Sequence, residues 1–146
     1  VDFAHTEDAL QQTLHTLRPF VKGRIILVFG VYADMSESGT NKRYGMGRVA
    51  AEYADVSIVT LDNPKNHDVD TIIREITDAI ERNNGEYIAI KDRKEAIEHA
   101  IAISQADDCI LLAGKGHETA QLIGNQEIEF SEKAIVLEAM KTKTFD

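Results

Sequence analysis

The sequence predicts an α/β fold: a mostly parallel β-sheet with helices on both faces, closed by a small β-hairpin near the carboxyl end. Three observations carry this. Four short apolar runs alternate with longer segments of helical period. That order implies parallel strands joined by right-handed helical crossovers. The first run is apolar almost throughout rather than alternating, as in a strand buried on both faces. Finally, polar and ionisable residues gather after the strands, while the loops before the strands are plain.

Taken in order, Thr6 is placed to cap a first helix, with Glu7 and Asp8 in the favourable first turn. Leu10, Leu14 and Leu17 keep helical spacing and Pro19 closes the pattern. After the turn Lys22-Gly23, Arg24 to Phe29 form the first strand, ended by Gly30. Residues 31–43 read as a polar loop, with Asp34, Ser36, Glu37, Ser38, Gly39, Thr40 and Asn41. A loop of that length in a compact domain is functional or mobile. A second helix is predicted over residues 45–54, with Met46, Val49, Ala50 and Tyr53 on one face. Val56 to Thr60 is a β-branched strand running into the turn signature Leu61-Asp62-Asn63-Pro64-Lys65.

Asp68 caps a third helix with Val69, Ile72, Ile73, Ile76 and Ile80 inward, stopped at Asn83-Asn84-Gly85. Tyr87 to Ile90 is the third strand. Asp92 followed by Glu95 resembles a capping box and opens a helix with Ala96, Ile97, Ala100 and Ile101 inward. Cys109 to Leu112 is the fourth strand. Gly124-Asn125 joins two short strands as a hairpin, and Ser131 caps a last helix to about Met140, before a frayed tail. The whole is a Rossmann-like three-layer domain spanning residues 1–146.

Composition narrows the function. Hydrophobic residues are 43% of the chain, and the formal charge of −9 argues against non-specific nucleic-acid binding, which needs clustered lysine and arginine. The single cysteine, Cys109, reads as a small buried hydrophobe and permits no disulfide within the chain, which fits the reducing cytoplasm. No apolar run approaches the ~20 residues of a membrane span. The chain opens on Val1-Asp2-Phe3-Ala4-His5 without an initiator methionine, so we expect a domain of a longer protein.

Several common chemistries are not supported. No G-x-G-x-x-G follows the first strand, and Gly114-Lys115-Gly116 lacks the Walker spacing. Paired histidines or cysteines at metal-ligand spacing are absent, so no metal site is expected. No serine occupies a nucleophile elbow. His15, His67 and His99 read as surface residues.

What remains is the rim at the carboxyl ends of the strands, where α/β sheets bind ligands. Gly30 and Asp34 follow the first strand, and Asp62, Asn63 and Lys65 the second. Asp92 and Arg93 follow the third, and Gly114, Lys115, His117 and Glu118 the fourth. One rim thus collects both charge signs and a histidine. Asp92 alone is explained as a helix cap, and Asp62-Asn63-Pro64 alone as an Asx turn.

The motifs resemble those of a known family. Val1-Asp2-Phe3-Ala4-His5-Thr6 resembles the V-D-Y-A-H-T start of the carboxy-terminal domain of Mur ligases. Asp62-Asn63-Pro64-Lys65 resembles D-N-P-R of the UDP-N-acetylmuramoyl-tripeptide synthetase branch, and Ala113 to Glu118 is identical to its A-G-K-G-H-E. Lys42-Arg43 and Met46 resemble its G-K-R-P-x-M. The resemblance implies a domain of an ATP- and Mg2+-dependent ligase whose ATP-binding and UDP-binding domains precede this one. It implies as substrates a UDP-linked muramoyl dipeptide and a free diamino acid, meso-diaminopimelate or L-lysine, in peptidoglycan synthesis. By motif, Arg43, Asp62, Asn63, Lys65, Gly114 and Glu118 would line the amino-acid pocket. His5 and Asp34 would lie toward ATP, Lys115 and His117 would orient their loop, and no residue here would be catalytic. A zwitterionic amino acid needs a cation for its carboxylate, for which Arg43 suits, and an anion for its ammonium, for which Glu118 suits. The chain departs from the pattern at Lys65, where the family has arginine. It also departs in the loop after Phe29, which lacks the family's glycine pair and arginine, and at Tyr44, where the family has proline. A cyanophycin-synthetase-like peptide ligase and a non-catalytic paralogue are the alternative readings.

Overall fold

The computed structural model describes residues 7–30, 37–61, 68–113, 120–123 and 126–129. The elements run α1 (Glu7–Leu17), β1 (Ile25–Phe29), α2 (Glu37–Tyr53), β2 (Val56–Val59) and α3 (Val69–Arg82). They continue with β3 (Tyr87–Ala89), α4 (Arg93–Ile103), β4 (Cys109–Leu112), β5 (Ala120–Ile123) and β6 (Gln126–Glu129). A short 3-10 turn, Arg18–Phe20, follows α1. The Thr6 cap, the Ser131 helix and the carboxyl-terminal tail lie outside the described residues.

Four strands form one sheet in the order β3-β2-β1-β4, every neighbouring pair parallel. β1 lies between two strands and between helices on both faces, and all five of its residues are buried. That explains the unbroken apolar run. Its alternate side chains feed two cores. Ile25, Leu27 and Phe29 join Leu10 and Leu14 of α1, Met46 and Val49 of α2, and Ile72, Ile76 and Ile80 of α3. Ile26 and Val28 join Ala96, Ile97, Ala100 and Ile101 of α4 on the opposite face. β5 and β6 pair antiparallel across Gly124-Asn125, the hairpin read from the sequence.

The helix caps behave as their residue types dictate. The Asp68 side chain accepts from the Asp70 and Thr71 amides, and Asp92 from those of Lys94 and Glu95. The Thr71 hydroxyl and amide hold the Asp68 carboxyl below its usual range. At the end of α3 it is Asn84 that takes the left-handed conformation, at φ 60°, rather than Gly85. A Cβ on Gly85 would instead meet Ala51 Cβ and Ile80 Cγ2, each at 2.7 Å.

Three details depart from the sequence reading. α2 starts at Glu37, so residues 37–43 are helical rather than loop. Packing against α3 overrides the weak propensity of Ser38, Gly39, Thr40 and Asn41. Gly47 permits that packing, since a Cβ there would meet Ala79 Cβ and the Ile76 carbonyl oxygen at 2.7 Å each. His99 is half-buried rather than a surface residue, and its Nε2 is buried without a hydrogen-bond partner. Cys109 is half-buried, because β4 is an edge strand of the four-stranded sheet and buries its residues fully only from Leu111 onward.

Candidate functional site at the carboxyl edge of the sheet

The strand order reverses between β1 and β4: the chain builds outward from β1 through β2 to β3, then returns to place β4 on the other side. Open α/β sheets bind ligands in the crevice outside the carboxyl ends of strands at such a reversal. β1 ends at Phe29 and β4 at Leu112. The residues that carry the predicted chemistry start just past these ends. His5, Asp34, Asp62, Asn63, Lys65, Gly114, Lys115, His117 and Glu118 all lie outside the described residues. Their neighbours in the chain, Gly30, Leu61 and Ala113, are described and buried.

Arg43 is the predicted site residue that the structure describes. It sits in α2 and its side chain is fully buried. Its Nε donates to Glu75 Oε2 of α3 at 2.7 Å, and its Nη2 to Thr40 Oγ1 at 3.3 Å. Within the fold the carboxylate beside Arg43 is therefore internal. A guanidinium taken out of water needs such a partner, and the ion pair fixes its plane. The close approach of α2 and α3 at Gly47 brings the two side chains within reach.

A second buried cation stands at the same edge. Arg93, first residue of α4, is 1% exposed. Its Nη1 donates to the Leu61 carbonyl oxygen at 3.1 Å and its Nη2 to that of Ala113 at 3.0 Å. Beside it, buried Thr60 donates its amide to the Phe29 carbonyl at 2.9 Å and its hydroxyl to the Lys91 carbonyl at 3.1 Å. Lys91 itself pairs with Asp70 on the surface.

Sequence reasoning placed Arg93 on the rim but gave it no role, and it missed Glu75. Both left a trace. Arg93 puts a cation in the first turn of a helix, where the dipole favours anions. Glu75 is a carboxylate set among Ile72, Ile73 and Ile76. Among the described residues, no group of three His, Cys, Asp or Glu side chains is placed to hold a metal ion. No helix among them is long and apolar enough to cross a membrane.

Comparison with known proteins fits this arrangement. The family described as "Mur ligase, glutamate ligase domain" matches residues 1–116. The UDP-N-acetylmuramoyl-L-alanyl-D-glutamate–2,6-diaminopimelate ligase of Caldanaerobacter subterraneus is 45% identical over 96% of this chain and 28% of its own length. The ligase of the same name from Geobacillus kaustophilus is 43% identical over 98% of this chain and 29% of its own. A solved structure of a UDP-N-acetylmuramoyl-L-alanyl-D-glutamate–2,6-diaminopimelate ligase superposes with a TM-score of 0.87 at 34% identity. That superposition covers 95% of this chain and 28% of the solved one. The chain thus spans less than a third of the length of these relatives.

Proposed function

The chain belongs to the Mur ligase family, and from that premise we propose that it is the carboxy-terminal, amino-acid-presenting domain of an ATP-dependent amide ligase. The full enzyme adds diaminopimelate to UDP-N-acetylmuramoyl-L-alanyl-D-glutamate in peptidoglycan synthesis. The observation that carries this reading is the similarity to diaminopimelate ligases along nearly the whole chain.

ATP, with Mg2+, supplies phosphoryl transfer to the carboxylate of the nucleotide-linked peptide, and both are held mainly by a preceding domain. The amine of diaminopimelate attacks the activated carbonyl carbon, the bond to the phosphate oxygen breaks, and inorganic phosphate leaves with an amide formed. This chain's contribution is to hold the amine in line, which lowers the barrier by positioning. Diaminopimelate carries two carboxylates and two ammonium groups, so its pocket needs both signs. Glu118 faces an ammonium, and Lys65 and Arg43 serve carboxylates. Asp62 and Asn63 add hydrogen bonds, and Gly114 lets the substrate approach the backbone. Glu75 keeps the Arg43 guanidinium in one plane through Nε. Lys65 brings one ammonium where arginine would bring a planar fork, and so holds its carboxylate at a single point. His5 and Asp34 lie toward ATP, and Lys115 and His117 orient their loop.

The test is phosphate release by the full-length protein over a panel of amino acids. Diaminopimelate should support turnover, and Glu118→Ala and Arg43→Ala should each raise its KM about tenfold or more. No turnover with any diamino acid would sink the reading.

A further inference from the structure

We infer that Arg93 is a positioning residue: its guanidinium ties together the two points at which the proposed substrate loops leave the sheet. What those loops bind rests on the ligase reading above, whereas the tie rests on geometry alone.

Leu61 and Ala113 belong to the ends of β2 and β4. These strands are not neighbours, because β1 lies between them. Val59 and Leu112 are the last residues of the two strands in register with β1. Leu61 is two residues past that point and Ala113 one. The Ala113 amide reaches the Val28 carbonyl and the Thr60 amide the Phe29 carbonyl, each at 2.9 Å, the last bonds of the two chains to β1 among the described residues. Arg93 adds a direct tie between those chains, with Nη1 on one carbonyl and Nη2 on the other.

The guanidinium suits this because its two Nη atoms are fixed in one plane. Lysine keeps the charge but offers one nitrogen. The residues that follow directly are Asp62 and Gly114, which open Asp62-Asn63-Pro64-Lys65 and Gly114-Lys115-Gly116-His117-Glu118. One side chain therefore holds the two residues that immediately precede both motifs, Leu61 and Ala113. Asp92 fixes Arg93 in turn, since its carboxylate caps α4 through the Lys94 and Glu95 amides. A carboxylate cap followed by a buried cation explains why Asp92 and Arg93 stand side by side.

The experiment uses the full-length ligase with Arg93→Lys, and Arg93→Ala as the harsher variant. Steady-state phosphate release gives kcat and the KM values for diaminopimelate and ATP. Hydrogen exchange follows peptides covering residues 58–65, 110–117 and 25–29. For Arg93→Lys we expect the diaminopimelate KM to rise about tenfold with the ATP KM changed less than about twofold. The peptides over 58–65 and 110–117 should exchange faster together, with 25–29 unchanged. Arg93→Ala should raise the diaminopimelate KM further, and because it also lowers global stability it should speed exchange at 25–29 as well, so the exchange comparison is read on Arg93→Lys. Faster exchange at one strand end alone, or at neither, overturns the tie whatever the kinetics. A lower melting temperature with both KM values moved alike would mark a merely structural residue and also overturn it. Absence of phosphate release by the unmutated enzyme would defeat the ligase reading instead, and the exchange comparison would still decide the tie.

Discussion

The two edges of the parallel sheet are sealed by opposite chemistry. At the amino edge, the first amides of the central strand meet carboxylates. Asp108 Oδ1 accepts from the Arg24 amide at 2.8 Å, and its Oδ2 from the Gln105 amide at 2.9 Å. The Arg24 guanidinium closes on the same oxygen at 3.0 Å. Asp55 Oδ2 accepts from the Ile25 amide at 2.7 Å and from Arg18 Nη1 at 3.0 Å. At the carboxyl edge the last carbonyls meet a guanidinium, that of Arg93. The difference follows from chain direction. Parallel strands all begin at one edge and end at the other, so leftover donors and leftover acceptors are segregated. The amino edge is closed by residues next to its own strands: Asp55 precedes β2, Asp108 precedes β4 and Arg24 precedes β1. The carboxyl edge is closed by a side chain from a helix that reaches two strand ends at once. The residues directly past those ends in the chain are the ones proposed above to carry the site.

This contrast can be broken from either side. Arg93→Ala should have the largest effect on the chain's stability, about 4 kcal/mol, because it leaves two buried carbonyls without their charged donor. Denaturant unfolding would measure it. A loss under about 1 kcal/mol would mean that the carboxyl edge does not depend on the guanidinium.

Asp108→Ala should come next, at about 2–3 kcal/mol, since its carboxylate is 4% exposed and serves two amides and an arginine. The same group gives the edges different acid responses. Burial pushes the Asp108 carboxyl up, but the Arg24 and Gln105 amides and the Arg24 guanidinium outweigh it and hold it below the usual range. Its charged form is thus favoured by the fold. Its stabilisation is complete above the unfolded value of about 3.9 and is lost as pH falls through the lower folded value. Urea midpoints of the unmutated chain and Asp108→Asn should therefore converge as pH is lowered from about 6 to about 3. The gap for Arg93→Ala should persist over the same range, because a guanidinium keeps its proton. Convergence in both cases would erase the distinction.

Arg18→Ala is the smallest test, at about 0.5 kcal/mol, because the Arg18–Asp55 pair is 43% and 40% exposed. A larger loss would show that the amino edge relies on its exposed pair as well as on Asp108.

Much of the fold was legible because it depends on local pattern. The all-apolar β1, the Asp68 and Asp92 caps, the alternation of strands and helices and the Gly124-Asn125 hairpin all follow from residue type and period. The start of α2 did not follow, since Ser38, Gly39 and Thr40 are poor helix formers, and the helix they open is held to α3 further along, at Arg43 and Gly47. Of the candidate site, the place of the motifs after the strands along the chain could be read directly, and the motif residues themselves lie outside the described residues. Arg43 reads as a cation for a substrate carboxylate, without sign that Glu75 within the fold pairs with it.

The sequence by itself therefore determined the class of fold and the order of the motifs along the chain, on which the proposal of a site at the carboxyl edge rests. These are set by spacing along the chain. Tertiary structure decided that β4 lies beside β1 opposite β2, that Glu75 pairs with Arg43, and that Arg93 holds the ends of β2 and β4. Each joins residues 20 or more positions apart. Periodicity reports which face a residue occupies. It does not report which distant group meets it there, and only packing in three dimensions fixes that.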